Sequence, residues 1–346
     1  MSWEVTSFTV QSVTGGAETL YANGQMQIPA IVSIKAIDTT TYASYKLTQV
    51  ELESIQLVDY FSPTTVLQGS WFYSTHENEF AHTMPTTRDP GQPVLDDGAQ
   101  HIYFWVSSTK VENKRIAARI TQPNQTVVTT NSSAFNSWVI ITTREPRPYT
   151  RDDVTVVRED TKEGVFYILK NNSYTKNGRW DQDNYYITSN RHPFVKADRY
   201  NYGATKNDLS VNAENVSLSN SWAYLPDKNN CSMFFFWDLG ESMFEWDLVG
   251  LDINLGGSGL NYYSARLGIH FNQRSNAFCL TRMYYWGHDQ VWGSSWSKSA
   301  WFRLYDLYGN SGDFYPRADN KNTISIHQRL SRAGEPTDAV GPEAKL

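Results

Sequence analysis

The chain has few cysteines and few charged residues, and each shortage excludes a class of protein. Two cysteines, Cys231 and Cys279, in 346 residues are too few for a disulfide framework, and their apolar neighbours predict free buried thiols. The 30 Lys and Arg residues against 36 Asp and Glu residues give a formal charge of -6, and no basic run is long enough to follow a phosphate backbone. We therefore expect no nucleic acid among its partners.

Long apolar runs and catalytic motifs are also missing. No stretch reaches the roughly 18 consecutive apolar residues that a spanning helix needs, and Met1–Glu4 begins no export signal. This pattern predicts a chain that is cytoplasmic as synthesised, with storage in inclusion bodies or release by a non-classical route left open. The 7 histidines never form the i, i+4 pair of a zinc protease, and no Gly-x-Ser-x-Gly elbow occurs. We therefore expect a protein that is not an enzyme and has no cofactor or metal.

Aromatic residues are abundant, and their arrangement predicts strands. The chain has 12 Trp, 21 Tyr and 16 Phe residues, many of them in short runs punctuated by Gly and Asn. Between Gln27 and Asp38 apolar residues recur at every second position, which is the period of a strand with one buried face. One helical turn or a loop is expected over 46–52. Further strands are predicted over 54–61, 70–74, 101–107, 115–121, 126–130 and 138–143, and a hairpin loop is predicted over 254–260, which contains Gly256 and Gly259.

The length and one proline-containing segment predict two domains. A chain of this length exceeds the size at which one core usually stops growing, and Pro146 and Pro148 interrupt any central strand. The fold class that we predict is all-β, with two immunoglobulin-like or jelly-roll β-sandwich domains joined by a short Pro-containing linker. The predicted segments are an N-terminal sandwich over 1–145, the linker over 146–153, an aromatic-rich C-terminal sandwich over 154–330 with long loops over 171–230, and a flexible tail over 331–346.

One polar stretch is a candidate ligand site. Trp180, Asp181, Asp183 and Asn184 bring two carboxylates and an amide next to aromatic rings. Oxygen ligands of this kind hold calcium, and the same groups bind sugar hydroxyls. The stretch lacks the glycine and the distal glutamate of an EF-hand loop, so that motif is absent. A structural turn is the competing interpretation.

A group of tryptophans is the second candidate ligand site. Trp286, Trp292 and Trp296 crowd a stretch that is rich in Gly and Ser and therefore loop-like. Flat rings exposed on loops stack on the apolar face of a sugar, and they also anchor protein interfaces. Core packing combined with loop clamping is the competing interpretation.

Part of the first half resembles a known group of bacterial proteins. The run Tyr21–Pro29, followed by Asp59–Tyr60 and by Trp71–Ser74, is similar to part of the inclusion-body or insecticidal-type proteins of insect-associated bacteria. The resemblance covers at most the first 145 residues and assigns no functional residue. It implies a bacterial protein that accumulates or assembles and acts on an animal or microbial neighbour.

Three hypotheses of function follow. The first is a non-enzymatic bacterial self-assembling or inclusion-forming protein, an insecticidal toxin or a toxin component, which forms a homo-oligomer or a larger assembly. Low surface charge and abundant Tyr, Trp and Asn favour such repeated contacts. The alternative is a carbohydrate-binding, lectin-like module that binds glycans or a target-cell surface. The second alternative is a β-pore-forming toxin in which Thr121–Thr143 would be the inserting hairpin.

Overall fold

A computed structural model gives the architecture of the chain. It describes residues 2–13, 18–84, 95, 98–170, 173–205, 207–208, 216–227, 230–239, 243–256, 259–272, 274, 276–286, 295–320 and 323–329. The chain divides into two compact units, the first formed by Met1–Arg147 with Leu307–Asn310, and the second by Pro148–Asp306 with Ser311–Leu346. The division after Arg147 falls within the predicted linker, and the predicted tail lies outside the described residues.

The first unit consists of short strands and one helical turn. Its strands are β1 (Trp3–Ser12), β2 (Glu18–Tyr21), β3 (Ile28–Asp38), β4 (Ser44–Tyr45), β5 (Gln56–Asp59), β6 (Ser62–Val66), β7 (Trp71–Ser74), β8 (Gln100–Ser108), β9 (Asn113–Thr121), β10 (Val127–Thr129) and β11 (Val139–Arg144). The helix α1 (Gln49–Glu53) begins after Thr48, and Thr48 and Glu51 form a capping box. Of the two alternatives predicted over 46–52, a helical turn or a loop, the structure shows the helical turn.

Two sheets of the first unit share one core. One sheet has the order β1-β3-β8-β7 with β4 beside β3, and the other has the order β2-β11-β9-β5-β6 with β10 beside β9. Val32 and Ile34 of β3 lie in the same buried cluster as Leu57, Ile116 and Ile141 of the second sheet. The apolar side chains at every second position of β3 therefore face a second sheet, as the apolar alternation predicts.

The segment proposed as an inserting hairpin is part of this second sheet. Thr121–Thr143 contains β10 and most of β11, and both strands pair with β9. Thr130 is fully buried, and its Oγ1 accepts a hydrogen bond of 2.9 Å from the backbone N–H of Ala118. These residues therefore contribute to the sheet and to its interior.

The second unit consists of longer strands. They are β12 (Val154–Lys170), β13 (Ser173–Ser189), β14 (Phe194–Tyr200), β15 (Ser221–Asp227), β16 (Asn230–Trp237), β17 (Met243–Gly256), β18 (Gly259–Asn272), β19 (Ala277–Trp286), β20 (Trp296–Ser297), β21 (Trp301–Asp306), β22 (Ser311–Asn320) and β23 (Thr323–Gln328). Two 3₁₀ segments occupy Arg151–Asp153 and Val216–Asn220. In the part of the chain that the structure describes, no helix has the length and apolar composition that crossing a bilayer requires.

Both faces of the larger sheet are covered at its centre. This sheet has the order β17-β18-β12-β13-β19-β16-β15-β20, and the smaller one has the order β14-β21-β22-β23. Phe234 and Phe236 of β16 lie in a core shared with the smaller sheet. Phe235 and Trp237 point to a second core on the opposite face, which also holds Ile269. The consecutive aromatics of β16 are therefore those of a strand between two layers, and the all-β class is confirmed.

The loops predicted over 171–230 are wrong for most of that range. Residues in this range form β13, β14 and β15, and β13 pairs with both β12 and β19. The polar composition suggested loops, but Gln182, Asp183 and Asn184 are fully buried in the sheet. Strand preference depends on the neighbours that a side chain meets, and here those neighbours are polar. The hairpin predicted around Gly256 and Gly259 is confirmed by their pairing.

The predicted linker contains a residue of the second core. Tyr149 is buried, and its backbone N–H donates to the carbonyl of Ser311 at 2.9 Å. Its hydroxyl donates to Oδ2 of Asp306 at 3.2 Å, which supplies the polar partner that a buried tyrosine needs. The segment is therefore anchored in the second unit rather than free. Cys231 and Cys279 are both buried and form no disulfide with each other, as predicted.

The segment Leu307–Asn310 completes the first unit. The ring of Tyr308 packs in the first core at 6.1 Å from the ring of Tyr21. The side-chain amide of Asn23 donates to the carbonyl of Tyr308 at 2.9 Å. Gly309 has a φ of 75°, and a Cβ on it would lie 2.5 Å from Cβ of Gln25, so only glycine fits this close approach. Residues that are distant in sequence therefore build one core.

Candidate functional site

The polar stretch predicted as a ligand site is divided between the two faces of β13. Successive side chains of a strand point to opposite faces, so Asp181 and Asp183 share one face and Trp180 and Asn184 the other. Asp183 and Asn184 are fully buried, and Trp180 is 6% exposed. The four side chains therefore form no common surface for a ligand.

A buried arginine neutralises the two carboxylates. Nη2 of Arg282, in β19, lies 2.5 Å from Oδ2 of Asp181 and 2.8 Å from Oδ2 of Asp183, and its Nε donates to Asp183 at 3.0 Å. Arg158 adds an ion pair of 2.9 Å to the other oxygen of Asp183. Burial raises the pKa of Asp181 above its usual value of 3.8, and Arg282 offsets only part of this effect.

Three carboxylates of this region have the spacing of metal ligands. Oxygens of Asp160, Asp181 and Asp183 lie within 4.8 Å of one another, and calcium prefers such ligands. The guanidinium of Arg282 already binds two of the three carboxylates. A metal ion would have to displace this buried cation from both carboxylates, which is costly for a buried charge. The arrangement is therefore that of an ion-pair cluster.

The opposite face of β13 holds β18 in place. The side-chain amide of Gln182 donates to the carbonyl of His270 and accepts from its backbone N–H at 2.8 Å. Oδ1 of Asn184 accepts from the hydroxyl of Thr281 at 2.6 Å. The ring of Trp180 lies parallel to that of His270 at 6.3 Å. Gln182 therefore links β13 to β18 and Asn184 links β13 to β19 by side-chain hydrogen bonds, which is a structural role.

The tryptophan group is only partly described. Trp296, in β20, is 5% exposed and packs at 4.6 Å from the ring of Tyr224, so it belongs to the core. Trp286, at the end of β19, is half-buried and lies 5.6 Å from the ring of Tyr284. Trp292 lies outside the described residues. For Trp296 the structure agrees with the competing interpretation of core packing.

An exposed group of aromatic rings around an arginine lies in the first unit. We call Tyr60, Phe61, Arg115 and Trp138 the aromatic–arginine cluster. Tyr60 and Phe61 form the turn between β5 and β6, Arg115 lies in β9, and Trp138 precedes β11. Because β5, β9 and β11 are neighbours in the sheet, the four side chains meet at one place.

The geometry of the cluster leaves the ring of Phe61 and the charge of Arg115 open to solvent, while Tyr60 and Trp138 are half-buried. The ring of Tyr60 lies 5.1 Å from that of Phe61 and 5.2 Å from that of Trp138, in edge-to-face orientations. Cζ of Arg115 lies 5.8, 5.7 and 5.9 Å from the centroids of Tyr60, Phe61 and Trp138, within cation–π range. Phe61 is 75% exposed, and Arg115 is exposed as well.

Hydrogen bonds fix the backbone beneath the cluster. Oδ1 of Asp59 accepts from the backbone N–H of Phe61 at 2.8 Å, and Oδ2 lies 2.5 Å from Nζ of Lys114. The side-chain amide of Asn131 donates to the carbonyl of Tyr60 at 2.6 Å. Burial tends to raise the pKa of Asp59, but Lys114 and the N–H of Phe61 lower it overall. The turn that carries both rings is therefore held from two sides.

The sequence contains one local signal for this cluster. Asp59 to Pro63 is a turn-forming stretch that includes two adjacent aromatics, and a turn usually exposes its side chains. Arg115 and Trp138 carry no such signal, because only the strand order brings them to Tyr60.

Comparison with known proteins gives no family for the chain. No protein-family model matches it, and no curated protein matches it either. The resemblance to inclusion-body proteins stays a prediction. The function is therefore argued from the chemistry of the site.

Proposed function

We propose that the chain is a non-enzymatic carbohydrate-binding protein that recognises sugars through the aromatic–arginine cluster. The observation that carries this proposal is the open ring of Phe61, supported by Tyr60 and placed beside the guanidinium of Arg115. A flat ring offers a sugar an apolar surface for its C–H face, and a guanidinium offers donors for its oxygens. The cluster combines both in one place.

The rigidity of the cluster supports this proposal. Asp59 and Asn131 bind the backbone of the turn before any ligand arrives. A site that is ordered in advance loses less entropy on binding. The carboxylates of Asp181 and Asp183 are bound by Arg282, so neither is free to act as a general acid or base, which favours binding over catalysis.

Removal of the Phe61 ring tests the proposal. We expect Phe61→Ala to weaken sugar binding about tenfold, because stacking area is lost, with little change in stability. Binding would be measured on a broad glycan array and then by titration calorimetry. Tyr42→Ala is the matched control, since Tyr42 is 76% exposed against 75% for Phe61 and is not one of the cluster residues. A protein that binds no sugar on the array would contradict the proposal.

A second candidate function, self-assembly, rests on a sheet edge whose strand pairs on one side only among the described residues. β17 has 14 residues and is the terminal strand of its sheet, and in the described part of the chain it pairs only with β18. The edge strand β1 is different, because its backbone N–H groups at Val5 and Val10 donate to the side chains of Gln122 and Ser137. A long open edge is a template for a strand of another molecule. Copies would thus join into a homo-oligomer or an inclusion, as in a bacterial toxin or toxin component.

Proline substitutions in β17 test self-assembly. In an antiparallel pair, backbone groups point alternately toward and away from the partner. Leu248 and Val249 are adjacent, so the backbone N–H of one points toward β18 and that of the other points away from it. Proline at the outward-pointing position should block assembly while the β17–β18 hairpin persists. Proline at the other position should disrupt the hairpin. Light scattering after size-exclusion chromatography would measure the mass. A wild-type chain that stays monomeric at every concentration would exclude this function.

A further inference from the structure

We infer that the ligand of the aromatic–arginine cluster is a sugar that bears a carboxylate, such as a uronic acid, with the carboxylate bound by Arg115. This inference rests on the proposed carbohydrate-binding function and specifies its ligand class. It follows from the charge at the centre of the cluster rather than from the rings alone.

The charge of Arg115 is not compensated within the part of the chain that the structure describes. Its guanidinium faces the rings of Tyr60, Phe61 and Trp138, and no described carboxylate forms an ion pair with it. The neighbouring acid, Asp59, is occupied by Lys114 and by the N–H of Phe61. The guanidinium has five N–H donors in a planar fork, and ring faces satisfy none of them as an anion would.

A second arginine on the same face of β9, Arg119, makes the hydrogen bonds expected of a structural residue. Arg119 lies four residues after Arg115, so both side chains point to the same face. Its Nε donates to Oε1 of Gln56 at 2.9 Å, and its Nη1 donates to the carbonyl of Thr64 at 2.8 Å. Arg119 therefore ties β9 to β5 and β6. Arg115 makes no comparable bond among the described residues, although it belongs to the same strand.

The shape of the cluster favours a sugar acid over other anions. A carboxylate is planar and binds the guanidinium fork with two parallel hydrogen bonds. The pyranose ring attached to that carboxylate would then lie over Phe61, whose ring is open to solvent. The formal charge of -6 repels extended polyanions at long range. Recognition therefore depends on one local charge flanked by apolar surface.

A pair of ligands that differ at one carbon tests the inference. Methyl glucuronide and methyl glucoside share the sugar ring and differ in a carboxylate against a hydroxymethyl group. We expect the wild-type chain to bind the glucuronide about tenfold more tightly, because charge-assisted hydrogen bonds are the stronger ones. NMR titration would measure both affinities. The preference should fall as salt rises, since exposed charges are screened.

Two arginine variants locate the preference. Arg115→Gln should reduce the affinity for the glucuronide to that for the glucoside and leave glucoside binding within about twofold, because only the charged contact is lost. Arg119→Gln removes the same charge from the same face and should keep the preference. Thermal unfolding of both variants would verify that they are folded.

The outcomes separate the inference from the function on which it rests. Equal binding of the two sugars by the wild-type chain, a preference that survives in Arg115→Gln, or equal affinity for a sulfated sugar would each overturn the carboxylate assignment and leave sugar binding intact. Failure of every sugar to bind would instead remove the proposed function itself.

Discussion

The guanidinium of Arg282 is a fully buried cation that two carboxylates neutralise in the interior of the second unit. Taking charged groups out of water costs several kcal/mol per ion, and this cost is offset only when the geometry of the pairing is good. Arg282 meets this condition with three contacts of 2.5 to 3.0 Å. The stability of this region therefore depends on all members of the cluster being present.

Replacement of Arg282 tests this dependence. Arg282→Met should lower the free energy of unfolding of the second unit by about 3–5 kcal/mol, because the fully buried carboxylate of Asp183 loses its buried partner and keeps only the half-exposed Arg158. Urea denaturation followed by tryptophan fluorescence would measure the change. The double variant Arg282→Met with Asp183→Asn should recover part of the loss. A decrease of less than about 1 kcal/mol in the single variant would show that the pairs contribute little.

At the scale of elements, the short helix α1 depends on one carboxylate. Glu51 accepts hydrogen bonds from Nε1 of Trp3 at 2.6 Å, from the backbone N–H of Thr48 at 2.7 Å and from the hydroxyl of Tyr45 at 3.2 Å. A helix of five residues is too short to be stable alone. Its position is therefore set by these bonds, which tie it to β1 and β4.

The ionisation of Glu51 predicts how the first unit responds to acid. Burial tends to raise the pKa of Glu51, but the hydrogen bonds from Thr48, Trp3 and Tyr45 lower it below its usual value of 4.5. A carboxyl whose pKa is lower in the folded state stabilises the protein above the unfolded value and loses that effect as the pH falls through the folded value. We therefore expect the first unit to lose stability below about pH 4.5.

The variant Glu51→Gln isolates this effect. It should be less stable than the wild-type chain at pH 6, and the difference should be smaller at pH 3, because the stabilisation by ionised Glu51 is lost as the pH falls through its folded-state pKa. Urea midpoints at the two pH values would measure this. Glu53→Gln is the control, because Glu53 is exposed and belongs to the same helix. An equal difference at both pH values would assign the role of Glu51 to packing rather than charge.

At the scale of the whole molecule, local patterns predicted more than polar composition did. The alternation in β3 and the glycines between β17 and β18 are local features, and both predictions are confirmed. The prediction of loops over 171–230 is wrong because polar residues of β13 are buried inside the sheet. Asp183 is paired with Arg282 across β13 and β19, and a partner that far away in sequence leaves no local trace.

The aromatic–arginine cluster was unpredictable for a related reason. Its members come from three segments that only the order β11-β9-β5 brings together. The two-residue period assigns each residue to a face of its own strand, but it does not identify the neighbouring strand. Trp180, Asp183, Asn184 and Trp296 were predicted as ligand residues, but their side chains are buried. The exposed rings became visible only once the sheet was assembled.

The placement of Leu307–Asn310 in the first unit has a consequence for biosynthesis. At a translation rate of about 5–20 residues per second, Tyr308 leaves the ribosome roughly 10–30 s after Arg147. During that interval Tyr21 and Asn23 lack the groups that later cover and bind them. The first unit of the nascent chain therefore remains incompletely packed until Leu307–Asn310 has been synthesised. Holdase chaperones can bind it during that interval.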